Sequence, residues 1–131
     1  MFDVYVVERD SLMVGRPKGI LDARTAERIV EFIELKEFDS ENGFNRFCDL
    51  TALEGIQLSF SEILYLAIRR STFNPGYAPV KTAFLAIHPF AFAIARMYEQ
   101  MLCSPRIEVR VFGELKLAAE WLGVSPDKLM L

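Results

Sequence analysis

The polar side chains that could carry chemistry in this sequence follow predicted strands. Asp49 lies at the end of one apolar run, and His88 lies directly after another. In an open α/β sheet, ligands bind beyond the carboxyl ends of the strands. We therefore expect the loop 49–59, His88 and Phe112 to lie close together. The polar side chains that these segments would bring to one site are Asp49, Thr51, Glu54, Ser59, Ser61 and His88.

These residues do not match a recognisable catalytic pattern. A nucleophilic mechanism would need Ser59 or Cys48 as the nucleophile, and His88, the single histidine, as the base. Asp49 would have to orient that base. The Gly-x-Ser-x-Gly motif is absent, and His88 before Pro89 is typical of the start of a helix. We expect no catalytic residues and no enzymatic activity.

Ser59 and Ser61 lie at the start of a predicted helix. Free backbone N–H groups there would favour an anion, such as a phosphate carried by a serine. The alternative is structural, with Ser59 as the N-cap and Glu62, three residues later, completing a capping box. The local pattern favours the cap.

A metal or cofactor is not predicted. One histidine and two distant cysteines, Cys48 and Cys103, form no recognisable ligand spacing. The same low cysteine content, together with an N-terminus that lacks a signal-peptide pattern, favours a reducing cytoplasm.

Composition limits the class of protein. The chain has 131 residues, of which 52% are hydrophobic, so it should form one domain over residues 1–131 and is not disordered. A net charge of −3 without a basic stripe argues against nucleic acid as a partner. The longest apolar stretch, 83–95, is interrupted at His88-Pro89 and is too short for the roughly 20 residues that span a bilayer. We expect no integral membrane segment.

The elements that must position these residues alternate along the chain. Strands are predicted at residues 4–7, 12–14, 44–50, 80–87 and 107–111, and helices begin near Asp22, Ser59, Pro89 and Leu115. The order ββαβαβαβα predicts an α/β fold. It should have a single mixed, mostly parallel sheet of about five strands and four helices.

Each of the first three helices has an apolar stripe. In the first it is Ala26, Ile29, Val30 and Ile33, with either Glu37 or Phe38 at its end. In the second it is Ile63, Leu64, Ala67 and Ile68, with Tyr65, Arg69 and Arg70 outside it. In the third it is Phe90, Ala93, Ile94, Met97, Met101 and Leu102. The short basic cluster of Arg69, Arg70 and Lys81 is therefore expected on the solvated exterior.

The 11 phenylalanines are numerous for a chain of this size. Phe90 and Phe92 are two positions apart and cannot share one helix face, so a pocket, a membrane-facing surface or a dimer contact is expected there. Arg96 interrupts the same helix. It should either extend along the apolar surface or pair with an acid across an interface or sheet edge. The candidates for an apolar ligand wall or interface are Phe60, Tyr65, Phe84, Phe90, Phe92 and Arg96.

The order of elements and three sequence segments resemble the SpoIIAA-like family of the STAS superfamily. The segments are the strand-loop-helix at 47–59, Phe-Cys-Asp-Leu-Thr-Ala-Leu-Glu-Gly-Ile-Gln-Leu-Ser, Ala-Arg-Met-Tyr at 95–98, and the pattern from 111 to 122. The resemblance is nearer to an uncharacterised bacterial branch that is similar to both STAS and CRAL-TRIO lipid-binding domains.

In anti-sigma-factor antagonists of the STAS type, an Asp-Leu-Ser strand end leads to Asp-Ser-Ser-Gly at a helix N-terminus, where a kinase phosphorylates a serine. Asp49-Leu50-Thr51 matches the first motif. Gln57-Leu-Ser-Phe60 replaces the second and lacks its acid and glycine, so Ser59 matches by position only.

The resemblance implies a non-enzymatic interaction or regulatory module with a protein partner. Its contact or phosphorylation residues would be Asp49, Thr51, Ser59 and Ser61. The alternative is a protein that binds a small apolar ligand or a lipid surface, as CRAL-TRIO domains do. A homodimer would also account for the apolar surplus.

Overall fold

The computed structural model describes residues 2–7, 11–39, 43–73 and 79–130, and the side chains from residue 11 onward. These residues form seven strands and four α-helices. The strands are β1 (Phe2–Val7), β2 (Leu12–Pro17), β3 (Gly19–Asp22), β4 (Asn45–Asp49), β5 (Leu53–Gln57), β6 (Val80–Leu85) and β7 (Ile107–Phe112). The helices are α1 (Ala23–Asp39), α2 (Phe60–Thr72), α3 (Pro89–Met101) and α4 (Leu115–Leu122), and a 3-10 helix follows at Pro126–Leu129.

Five strands form the main sheet in the order β1-β2-β4-β6-β7. β1 pairs with β2 as an antiparallel hairpin, whereas the other three pairs are parallel. Parallel neighbours need crossover connections, and α1, α2 and α3 each lie in one of them. The predicted α/β architecture, with its mostly parallel five-stranded sheet and four helices, is confirmed.

A second, two-stranded sheet was not predicted. β3 pairs in parallel with β5, although residues 49–59 were expected to form a loop and no strand was expected between residue 14 and the first helix. Both strands are short and only partly buried, and the sequence of neither shows the alternating apolar pattern that predicts a strand. Their pairing joins positions more than 30 residues apart, and a long-range contact of this kind leaves no local sequence signal.

The helix starts follow the sequence closely. Asp22 accepts a hydrogen bond from the Thr25 backbone N–H (2.9 Å), which lowers the pKa of that carboxyl. Ser59 caps α2: its Oγ accepts from the Glu62 N–H (3.2 Å) and the Glu62 carboxylate accepts from the Ser59 N–H (2.8 Å). The predicted capping box is therefore confirmed.

The buried face of α2 differs from the prediction. The helix buries Ile63, Leu66, Ala67 and Arg70. Ile68 was expected inside and is 54% exposed, whereas Arg70 was expected on the exterior and is 4% exposed. The buried face of α2 is therefore rotated relative to the predicted one, because Arg70 has a buried acidic partner on α1. That acid is Glu37, which lies at the end of the α1 stripe in place of Phe38.

The buried face of α3 also differs. Its buried residues are Ala91 and Ala95, whereas Phe90 and Ala93 of the predicted face are exposed. Small side chains let a helix lie close to its neighbours, and Ala91 and Ala95 pack in one cluster with Phe84 and Phe92. None of the helices in the described part of the chain combines the length and apolar character needed to cross a membrane.

The two faces of the main sheet are packed differently. On one face, a single cluster joins the strands to α4 and the 3-10 helix; its buried members are Leu12, Val14, Phe47, Ala83, Leu85, Ala118, Ala119, Leu122 and Leu129. On the other face, helices α1 to α3 contribute to three smaller clusters instead of one continuous core. Packing on this second face leaves space between the clusters.

Candidate functional site

Asp49 and Thr51, at the carboxyl end of β4, form a local turn. One Asp49 carboxylate oxygen accepts hydrogen bonds from the Thr51 backbone N–H (2.9 Å) and hydroxyl (2.6 Å). The other oxygen lies 3.4 Å from Arg16 Nε. Both oxygens of Asp49 therefore have structural partners.

Ser59 and Ser61 are exposed at the start of α2, with their hydroxyl oxygens 3.2 Å apart. The Ser59 hydroxyl is accessible, but it also accepts the capping bond from Glu62. Modification of Ser59 would therefore compete with the cap for the same oxygen. Phosphorylation at either serine stays a prediction.

His88 caps α3. Its Nδ1 accepts from the Phe90 backbone N–H (3.2 Å), as expected for a residue at the start of a helix. Within the described residues, no hydrogen bond links His88 to Asp49, Ser59 or Cys48. Burial, with a smaller contribution from the Asp49 charge, raises the pKa of the Cys48 thiol to about 12, so this thiol is neutral near pH 7.

The aromatic candidates separate into exposed and packed groups. Phe60, Tyr65 and Phe90 are exposed, and the Tyr65 hydroxyl lies 3.4 Å from Glu27. Phe84 and Phe92 pack inside, in the cluster that contains Ala91 and Ala95. The expectation that Phe90 and Phe92 face different directions is met, because one is exposed and the other packed.

Arg96 pairs with Glu99 on its own helix, with its guanidinium Nη1 2.8 Å from the carboxylate. Its side chain is about half exposed. The partner within the chain is therefore three residues away on α3, and a pairing of Arg96 across an interface stays a prediction.

A cavity of about 160 Å³ lies between the main sheet and helices α1, α2 and α3. β3 and β5 each contribute one apolar side chain, Leu21 and Ile56, to its wall. The sheet contributes Met13, Gly15, Pro17, Arg46, Phe47, Cys48, Thr82, Phe84 and Ile107, and the adjoining loops contribute Leu50 and Leu58. The helices contribute Ala26, Ile29, Val30, Phe32, Ile33, Ile63, Leu66, Arg70, Ile94, Ala95 and Tyr98.

Most of this wall is apolar. Apolar side chains that face open space make fewer packing contacts than they would in a filled core, so a bound apolar molecule would add contacts and stability.

A network of ionic side chains runs from the surface to this cavity, with three acids on α1, two arginines on α2 and one arginine on β4. In order from solvent to interior, the side chains are Glu27, Arg69, Glu34, Arg70, Glu37 and Arg46. Acids and bases alternate along the whole network. The exposed fraction falls from 47% for the Glu27 side chain to 0% for Glu37.

The inner end of the network is the most tightly bonded. Arg70 contacts Glu37 with both terminal nitrogens, at 2.8 and 2.6 Å, and Arg46 donates to the same carboxylate. Glu34 lies 3.4 Å from Arg70 and 2.7 Å from Arg69. Bidentate guanidinium-carboxylate pairs of this kind fix both partners in one geometry.

The same network sets the charge states near the cavity. Burial acts to lower the pKa of Arg70, but the hydrogen bonds and charge of Glu37 outweigh it and leave the pKa raised. Removal from water raises the pKa of the Tyr98 hydroxyl, although the charges of Arg70 and Arg46 oppose this. Arg70 is therefore charged and Tyr98 neutral at physiological pH.

The inner residues of this network were missed as functional candidates in the sequence. The signal was present in part, because Glu37 falls at the helical spacing of the apolar stripe that includes Ile33 and Val30. A charged residue at a buried position indicates a buried partner. The sequence alone does not say that the partners are Arg70 and Arg46.

The comparisons with known proteins support the fold. The chain is similar to an uncharacterised protein of the DUF3478 family with a SpoIIAA-like fold from Shewanella loihica PV-4, whose crystal structure it matches with a TM-score of 0.60. The sequences are 15% identical, and the match covers 93% of this chain and 92% of that one. The SpoIIAA-like fold predicted from the sequence is thus confirmed. No family model and no curated protein sequence matches the chain.

Proposed function

We propose that this protein is a non-enzymatic binding module that holds a small apolar molecule in the cavity between the main sheet and helices α1 to α3. The observation that carries this proposal is the cavity itself, which is lined by apolar side chains from six strands and three helices. Ligand sites in proteins are mostly apolar and contain a few placed polar groups. Arg46, Arg70, Thr82 and Tyr98 supply such groups here.

The size of the cavity limits the ligand. An apolar cavity of about 150 Å³ is large enough to hold benzene, and this cavity measures about 160 Å³. The part of the ligand that lies inside the cavity is therefore a single small ring or a short chain.

The site residues favour binding over catalysis. The Asp49 carboxylate and the His88 imidazole are each engaged in local backbone bonds. The thiol that lines the cavity, Cys48, has a pKa raised to about 12 and is a poor nucleophile in that state.

Binding can be tested by titrating the labelled protein with toluene and following backbone amide NMR shifts. We expect saturable shifts at cavity residues such as Thr82 and Ala95. Ala95→Leu places a larger side chain in the cavity and should abolish binding. Ala93→Leu, the same change at an exposed position on α3, is the matched control. Toluene binding that is absent in the wild type, or unchanged in Ala95→Leu, would contradict the proposal.

The natural ligand can be sought in protein purified from its native host. Native mass spectrometry should show an added mass that disappears when the protein is unfolded and refolded. The same sample from the Ala95→Leu variant should lack it.

A second proposal is a STAS-type interaction module, which is favoured by exposed apolar side chains on α2. Phe60, Tyr65 and Ile68 are all more than half exposed, and Ser59 lies beside Phe60. A protein partner, or a second copy of the chain, would cover them.

Light scattering tests the homodimer, and phosphopeptide mass spectrometry of host-purified protein tests whether Ser59 and Ser61 are phosphorylated. A monomer never modified at either serine would contradict the dimer and the phosphorylation switch.

A further inference from the structure

The charged part of the cavity wall has one sign. Arg46 and Arg70 are the charged side chains among the described residues that line the cavity, and both are almost completely buried. Glu37, their shared partner, is not part of the wall. A molecule in the cavity therefore meets positive groups and hydrogen-bond donors at this end, and apolar side chains elsewhere.

The two arginines of the cavity wall differ in their acidic partners. The network as a whole has three glutamates and three arginines, so its charges balance. Among the described residues, Arg70 pairs with both Glu37 and Glu34, whereas Arg46 pairs with Glu37 alone. Arg46, the innermost member, is therefore the arginine of the wall with fewer acidic partners.

Arg46 also has an unused donor. Its terminal Nη2 donates to Glu37, whereas its Nε is buried and has no hydrogen-bond partner among the described residues. Buried donors in proteins are nearly always satisfied, by protein, water or ligand. This unpaired Nε belongs to a side chain that lines the cavity.

We propose that the ligand of this cavity is a small monocarboxylate, whose apolar body fills the cavity and whose carboxylate accepts a hydrogen bond from Arg46. This inference rests on the proposed function. A carboxylate accepts charge-assisted hydrogen bonds from a guanidinium. Its single charge also costs less to bury in an apolar cavity than the higher charge of a phosphate.

The test compares benzoate with nitrobenzene, which has nearly the same shape but no charge. Binding of each probe to wild type, Arg46→Met and Arg69→Met is measured at pH 7 from backbone amide NMR shifts. Arg46→Met leaves the bidentate pair of Arg70 and Glu37 intact, and Arg69→Met is a matched control outside the cavity. We expect wild type to bind benzoate at least tenfold more tightly than nitrobenzene. Arg46→Met should lose that preference, whereas Arg69→Met should keep it.

The outcomes separate the two proposals. If nitrobenzene binds as tightly as benzoate, or if Arg46→Met keeps the preference, the proposal of a carboxylate ligand is wrong, but the proposal of an apolar binding site is not contradicted. If neither probe binds and toluene does not bind, the proposed function fails as well. Should Arg46→Met not fold, the ratio of the benzoate and nitrobenzene affinities decides the question. It is then measured in wild type and in Arg46→Lys, which keeps the charge but lacks the guanidinium Nε.

Discussion

At the scale of single residues, Glu37 connects two buried arginines. It is fully buried on α1 and is the shared carboxylate partner of Arg70 and Arg46. Desolvation makes an unpaired buried charge far more costly than an exposed one. The stability of the helix-covered face therefore depends on this one carboxylate.

Replacing Glu37 by glutamine should destabilise the protein by about 3–5 kcal/mol, because two buried arginines lose their counter-charge. Glu27→Gln is the matched control on the same helix. Its side chain is 47% exposed and 3.5 Å from Arg69, so it should change stability by less than about 1 kcal/mol. Urea unfolding measures both. Equal effects of the two variants would contradict this account of the network.

Cys48 should react much more slowly than Cys103. The raised pKa of about 12, against an ordinary 9.0, reduces the thiolate fraction of Cys48 about a thousandfold at pH 8. Cys103 is exposed. Peptide mass spectrometry after timed iodoacetamide treatment should show Cys103 modified first. The two rates should become similar in urea, and similar rates in the folded protein would contradict the prediction.

The same pKa shift predicts a loss of stability at alkaline pH. Above pH 9 the Cys48 thiol loses its proton in the unfolded state but keeps it in the folded state. The free energy of unfolding therefore decreases with rising pH until about pH 12. The contribution is at most about 1.4 kcal/mol per pH unit. Unfolding curves from pH 8 to 11 should therefore fall more steeply for wild type than for Cys48→Ser. Parallel curves would show that Cys48 is not the source.

At the scale of elements, the capping box of α2 can be tested directly. Ser59→Ala removes the hydroxyl that accepts from the Glu62 N–H and should cost about 0.5–2 kcal/mol. Ser61→Ala, two residues further on and outside the cap, should have a smaller effect. Thermal or urea unfolding compares the two. An equal loss at Ser61 would mean that the contact between the two hydroxyls, and not the cap, stabilises this end.

Elements were predictable where their signal is local. The β-branched and apolar strands, the caps at Asp22 and Ser59, and the alternating order all depend on neighbours in sequence, and each was confirmed. The β3–β5 sheet was missed because its two strands stabilise each other only after folding. The buried face of α3 was missed because large apolar side chains were expected inside, whereas Ala91 and Ala95 pack there.

The candidate site was less predictable than the fold, for a related reason. Phe84, one of the residues predicted for an apolar wall, lines the cavity, and its role in binding stays a prediction. Arg70 was placed on the exterior, because a basic pair at the end of a helix is usually solvated. Its burial depends on Glu37, which lies 33 positions away and on another helix. Pairings of this kind cannot be derived from the spacing within either helix.

At the scale of the whole molecule, the two faces of the main sheet have different tasks. The face that carries α4 is a continuous core, in which residues such as Ala118 and Ala119 have almost no exposed surface. The face that carries α1 to α3 surrounds a cavity and a buried ionic network. We infer that the face with α4 contributes more packing stability than the face that surrounds the cavity.

One substitution made on each face tests this division. Ala118→Leu enlarges a side chain in the packed face and should destabilise the protein by about 1–3 kcal/mol through overpacking. Ala95→Leu adds the same three carbon atoms at the cavity wall, and because part of its surroundings is open space it should destabilise the protein less than Ala118→Leu does. Alanine and leucine have similar helix propensities, so the comparison reports packing. Urea unfolding in the absence of ligand measures both, and an equal loss in the two variants would show that the cavity is not open space in solution.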